Sequence, residues 1–144
     1  MLGRKRKKTH DAQKEAMVNT KISLYVESRY KANRKRIHAA VRSILKERSI
    51  EEALEVSVAI VGDRKMHALN KQYRGKDSTT NVLSFSQTEG EHMKTPPGIM
   101  YLGDVVISYP QVIREAAAED ELVDDKIDVL VKHGVMHLLG LHHE

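Results

Sequence analysis

The chain has 144 residues, with 24 Lys/Arg, 20 Asp/Glu, 8 His and no Cys. That length suits one domain of about 100–200 residues and allows a sizeable core. The lack of Cys excludes a disulfide framework and thiolate-held zinc or iron–sulfur centres, so any metal must sit on His, Asp or Glu.

In chain order, residues 1–20, with the run Arg4-Lys5-Arg6-Lys7-Lys8, are expected to be a basic, flexible extension with a short helix around Ala12–Val18. Residues 21–144 form a single domain. Residues 21–26 alternate with period two and predict a strand. From Ser28 to Arg48 the apolar positions Ile37, Ala40, Val41, Ile44 and Leu45 repeat at helical spacing. The other face of that helix carries Arg34, Lys35, Arg42 and Lys46, a candidate RNA-facing surface on a folded element. Residues 1–48 hold 15 Lys/Arg against 4 Asp/Glu, while the rest holds 9 against 16. This asymmetry suggests that the first part meets a polyanion.

Residues 54–61 predict a second strand, and Asp63 is placed to cap a helix reaching Gln72. Gly75–Asn81 has the composition of a loop. Val82–Ser86 is a short strand, residues 87–100 are a loop broken by Pro96-Pro97-Gly98, and Tyr101–Ser108 is a nearly apolar buried strand. Pro110 marks a helix start. A last helix over Asp124–Leu139 is expected to end at Gly140. The fold class expected is α+β, a mixed sheet of about four strands packed with about five helices.

Four of the eight His fall in the last twelve residues. His133 and His137 share one helix face, one turn apart, so two imidazoles can reach one ion. A chain reversal at Gly140 would bring a third from the pair His142-His143. Three His and one open position is the donor pattern of catalytic zinc, with water in the fourth place. Imidazole also suits nickel, copper and iron. The spacing matches that of the metzincin proteases, but Gly134 stands where those enzymes carry their general-base Glu. Peptide hydrolysis by that route therefore lacks its base.

Three blocks carry a closer resemblance. They are His133–His143, the stretch Leu69-Asn70-Lys71-Gln72-Tyr73-Arg74-Gly75-Lys76-Asp77-Ser78-Thr79-Thr80-Asn81-Val82-Leu83-Ser84-Phe85, and Leu102-Gly103-Asp104-Val105-Val106-Ile107-Ser108. Together they resemble the signatures of the YbeY family of bacterial ribosomal-RNA maturation endoribonucleases. The resemblance implies a single-strand-specific, zinc-dependent endoribonuclease acting in ribosomal RNA maturation and ribosome quality control, while the sequence, with no membrane-length apolar stretch and no apolar secretory segment, suggests a cytoplasmic protein. Its partners would be single-stranded or ribosomal RNA and proteins of the ribosome or its small subunit, with no membrane. It implies one Zn2+ held by His133, His137 and His143 with a water, and active-site roles for Arg74 and Asp104. Three departures stand out. Leu141-His142 replaces the family's Tyr-Asp, Asn81 replaces an Asp, and the sequence stops at Glu144 where relatives generally continue. A non-catalytic zinc-containing ribosome-assembly factor is the alternative, and a zinc metallopeptidase a weaker one.

Overall fold

The structure, a computed structural model, describes residues 20–86 and 98–143, the last three by backbone alone. The basic run at residues 4–8, the helix expected around residues 12–18 and most of the loop at 87–97 lie outside these residues. Strand β1 (Lys21–Val26) leads into helix α1 (Arg34–Glu47). Then come β2 (Leu54–Val61), α2 (Asp63–Arg74), β3 (Val82–Ser86) and β4 (Met100–Ser108). Helices α3 (Tyr109–Ala118) and α4 (Val123–His143) complete the order. The described residues thus hold four helices rather than five.

The sheet runs β1-β2-β4-β3, with β3 antiparallel to β4 and the other pairs parallel. One face packs on α1 and α4. There Ile37, Val41 and Ile44 meet Val56, Val58, Val105, Val131 and Leu138 in the main core. Burying each such side chain is worth about 1.5–3 kcal/mol. The other face carries a smaller cluster of Val61, Met66, Leu83, Phe85 and Val106 under α2.

Arg36 joins α1 to α4 through Asp125 at 2.7 Å and Asp128 at 3.9 Å. Asn33 caps α1 by accepting a hydrogen bond from the Arg36 amide. Helix α3 begins as Pro110 suggests, with Ser108 as its cap.

Two expectations need correction. Asp63 is not the cap of α2; that position is Gly62, and Asp63 sits in the first turn. Its carboxylate instead accepts from Thr79 at 3.0 Å, Ser108 at 2.7 Å and Arg114 at 2.7 Å. These long-range donors hold the side chain away from its own helix. The last helix also does not stop at Gly140 but runs on to His143. A helical Gly costs only about 1 kcal/mol, and the preceding turn is anchored by buried Leu138 and Leu139.

One irregularity in the sheet positions polar side chains. Glu55 pairs with Tyr101 but Val56 pairs with Gly103, leaving Leu102 as an extra residue. Gly103 takes φ 143°, a backbone conformation that side chains disfavour. The bulge brings Tyr101 and Asp104, three apart in sequence, to the same face.

Candidate active site at the outer strand of the sheet

Strand β3 is the edge strand on which α2 and α4 converge. Arg74 is the last residue of α2, closed by Gly75 in the left-handed conformation. Its guanidinium donates to the Ser84 carbonyl at 2.8 Å and lies 5.0 Å from the centre of the Phe85 ring. The Ser84 hydroxyl donates to the Gly134 carbonyl at 3.3 Å. Ser84 therefore links the Arg74 guanidinium to the helix turn that carries His133.

Close packing fixes Gly134 itself. A Cβ there would lie 2.6 Å from Val105 and 3.1 Å from the Ser84 hydroxyl. A Glu at this position has no room, which gives a steric reason for the missing protease base. His133 and His137 sit one turn apart on the exposed side of α4, and no other described residue engages either imidazole. Among the described residues no group of three His, Asp or Glu is gathered as a metal cage. Two donors for an ion are thus present. The expected third, His143, lies beyond Gly140 in the last helical turn. Six residues of continuous helix turn through about 600°, so position 143 does not follow His137 on its face.

Asp104 lies within β4, paired with Ser57 and Phe85 of the neighbouring strands. Strand alternation turns it to the α2 side, the face opposite α4. There Tyr101 donates to it at 2.6 Å, and the Tyr101 and Ser57 hydroxyls stand 3.0 Å apart. Burial, reinforced by the Asp104 carboxylate, pushes the Tyr101 phenol well above its ordinary pKa, so it stays a donor. A cleft of about 230 Å³ opens between this group and α2, walled by Leu69, Tyr73 and Phe85 and rimmed by Lys65. Arg74 and the His pair are brought together around β3. Asp104 belongs to the cleft on the other face.

Arg34, Lys35 and Lys46 are exposed on α1, and Arg42 is half-buried. Arg34, His38, Arg42 and Lys46 recur every four residues and form one stripe. Burial, then Arg42 and Arg34, lower the pKa of His38. Helix α1 packs chiefly on α4 and touches β1, the strand at the opposite edge of the sheet from Arg74. Three strand spacings of ~4.8 Å separate those edges by roughly 14 Å.

Sequence reasoning passed over Tyr101, Ser57 and Ser84. A Gly inside the β4 pattern was the available signal, since it often marks a bulge. Asn81, which the sequence presents as a lost charge, has a partner instead: its amide donates to Glu115 at 2.8 Å. An Asp there would set two carboxylates against each other.

Fold and site define an α+β domain with a guanidinium and two imidazoles set around β3, the outer strand of the sheet among the described residues. Residues 17–144 match the sequence model of the family described as Endoribonuclease YbeY. The endoribonuclease YbeY of Magnetococcus marinus is 46% identical over 96 residues, covering 63% of this chain and 65% of that protein. The one from Roseiflexus castenholzii is 38% identical over 109 residues, covering 75% and 69%. The one from Chloroflexus aurantiacus is 33% identical over 125 residues, covering 85% and 81%. The solution structure of TM1509 from Thermotoga maritima shares the fold, with TM-score 0.51 and 22% identity over 81% of this chain and 71% of that one. The chain belongs to the YbeY family. No helix among the described residues is long and apolar enough to cross a membrane.

Proposed function

We propose that the chain is a zinc-dependent endoribonuclease acting on single-stranded RNA in the cytoplasm, in the maturation of ribosomal RNA and ribosome quality control. The observation that carries this reading is the meeting of Arg74 with the His133–His137 turn across Ser84. The names of the relatives, endoribonucleases all, support it.

His133 and His137 would hold the ion, with His143 as third ligand once the last turn unwinds at Gly140. Zinc so held would supply a Lewis acid and a water of pKa near ~7. The work of the protein's own residues is separate. Arg74 would meet phosphate oxygens with its planar guanidinium, whose terminal nitrogens donate to the Tyr73 and Ser84 carbonyls in this structure. Its contacts with Ser84 and Phe85 orient that group before substrate arrives, so less side-chain entropy is lost on binding. Ser84 ties the spacing of Arg74 to the His turn. Arg34, Lys35, Arg42 and Lys46 would hold RNA away from the chemistry, and ribosomal proteins would bring the substrate.

The continuation of α4 through Gly140 favours a second reading, a non-catalytic zinc-containing ribosome-assembly factor with an incomplete ligand set. Metal titration of the full chain with a cobalt probe separates the two. Tetrahedral cobalt spectra together with cleavage of single-stranded RNA support the enzyme. Metal binding and ribosome association without cleavage support the assembly factor. Gly134 counts against the peptidase on packing as well as on chemistry.

A further inference from the structure

We propose that the exposed basic stripe of α2 is a track for the phosphates of single-stranded RNA, and that the Asp77 carboxylate occupies one phosphate position until RNA arrives. The track rests on the ribonuclease reading, because its last member is Arg74.

Arg64, His67, Lys71 and Arg74 follow one another at steps of three or four residues, so they share one face of α2. The neighbouring face, with Met66 and Asn70, is buried. From Arg64 to Arg74 the helix rises ~15 Å, long enough to meet successive phosphates. Residues 64–74 contain no Asp or Glu, so ion pairing within the helix does not account for the cations. Arg64 and Lys71 are exposed, and the Arg64 side chain has no ion-pair partner among the described residues.

The one anion on the stripe comes from outside the helix. Asp77 accepts a hydrogen bond from His67 Nε2 at 2.6 Å, and the same oxygen lies 4.0 Å from Lys71 Nζ. The loop that carries Asp77 is held by other bonds. Buried Asn70 donates its side-chain amide to the Ser78 carbonyl at 2.9 Å, and its own carbonyl accepts from the Lys76 amide at 3.3 Å. The Asp77 side chain is 72% exposed, and exposed ion pairs contribute little to stability. Its carboxylate is therefore an acceptor set between two donors that the loop does not need. A phosphate has the same acceptor chemistry, takes the same two donors, and turns Asp77 out to solvent. Such contacts position a strand and read no base. A strand laid along the stripe ends at Arg74, whose bond to the Ser84 carbonyl places it beside the turn that carries His133.

The test is binding of a labelled single-stranded DNA oligonucleotide to the full chain, read by fluorescence anisotropy over a salt series. That DNA carries the phosphates of RNA and resists a ribonuclease; cleavage of single-stranded RNA is followed in parallel. Arg64→Gln combined with Lys71→Gln should weaken binding about ten-fold and reduce the salt slope by about 1.4, at about 0.7 per phosphate contact. Asp77→Asn should tighten binding about three-fold, the weight of one exposed ion pair. Glu51→Gln removes the same charge from an exposed position between α1 and β2 and should leave affinity unchanged. Melting temperatures of all three variants should match wild type. Unchanged affinity and slope in the folded double variant, or Asp77→Asn binding no tighter than Glu51→Gln, overturns the track. If wild type still cleaves RNA in that case, the ribonuclease reading stands without it. The expected binding changes with no RNA cleavage by wild type sustain the track and sink the ribonuclease reading.

Discussion

Gly134 shows how one residue sets both packing and chemistry. Its missing side chain lets α4 approach Val105 and Ser84, and it removes the protease base. Gly134→Ala should lower stability by about 1–3 kcal/mol in urea unfolding, because overpacking there outweighs the gain in helix propensity. Stability equal to wild type would show that Val105 yields freely. Arg74 carries a separate prediction. Arg74→Glu should leave zinc affinity intact and abolish RNA cleavage; normal cleavage would remove Arg74 from the site. Arg74→Lys should keep the charge but lose the planar fork, and fall well short of wild-type rate. The His pair was legible from spacing alone, because four residues on any helix share a face. The bond from Arg74 to Ser84 was not, since nothing in a linear sequence says which carbonyl on a sheet edge lies opposite a helix end.

At the scale of elements, local patterning located the strands and helices well, and the misses have physical causes. Period-two alternation identified β1, and the 3.6-residue period identified α1. The bulge in β4 escaped because the apolar run reads the same with or without an extra residue, yet it decides that Tyr101 meets Asp104. Asp63 looked like a cap by composition, but tertiary donors from the 75–81 loop, β4 and α3 won it. Burial would raise its pKa, but hydrogen bonds from Ser108, Arg114 and Thr79 outweigh that and hold it below the ordinary carboxylate value. A depressed folded-state pKa means stability that is present above the unfolded value of about 3.9 and is lost as pH falls through the folded one. Asp63→Asn should therefore flatten the loss of stability below about pH 4 and cost about 1–3 kcal/mol at neutral pH. An unchanged acid limb in a series of pH-dependent melts would contradict this. The stripe on α1 makes its own prediction. Reversing Arg34 and Arg42 to Glu should weaken RNA binding at low salt and flatten its salt dependence, without altering zinc content. Unchanged affinity at low salt would exclude the stripe as an RNA contact.

Over the whole molecule, the net charge of +4 divides into a basic first third and an acidic remainder. The sheet order gives that division a spatial meaning. Helix α1 packs on α4 and lightly on β1, while Arg74 stands at the β3 edge. RNA held along α1 would reach the His pair along the helix face that α1 shares with α4. The central claim, metal-dependent RNA cleavage at the β3 edge, is tested most directly by one assay. Zinc-loaded protein and its His137→Ala variant are incubated with single-stranded RNA, each with and without chelator. The account predicts cleavage by wild type alone, abolished by chelator and restored by added zinc. Cleavage that survives chelation, or that persists undiminished in His137→Ala, would contradict it.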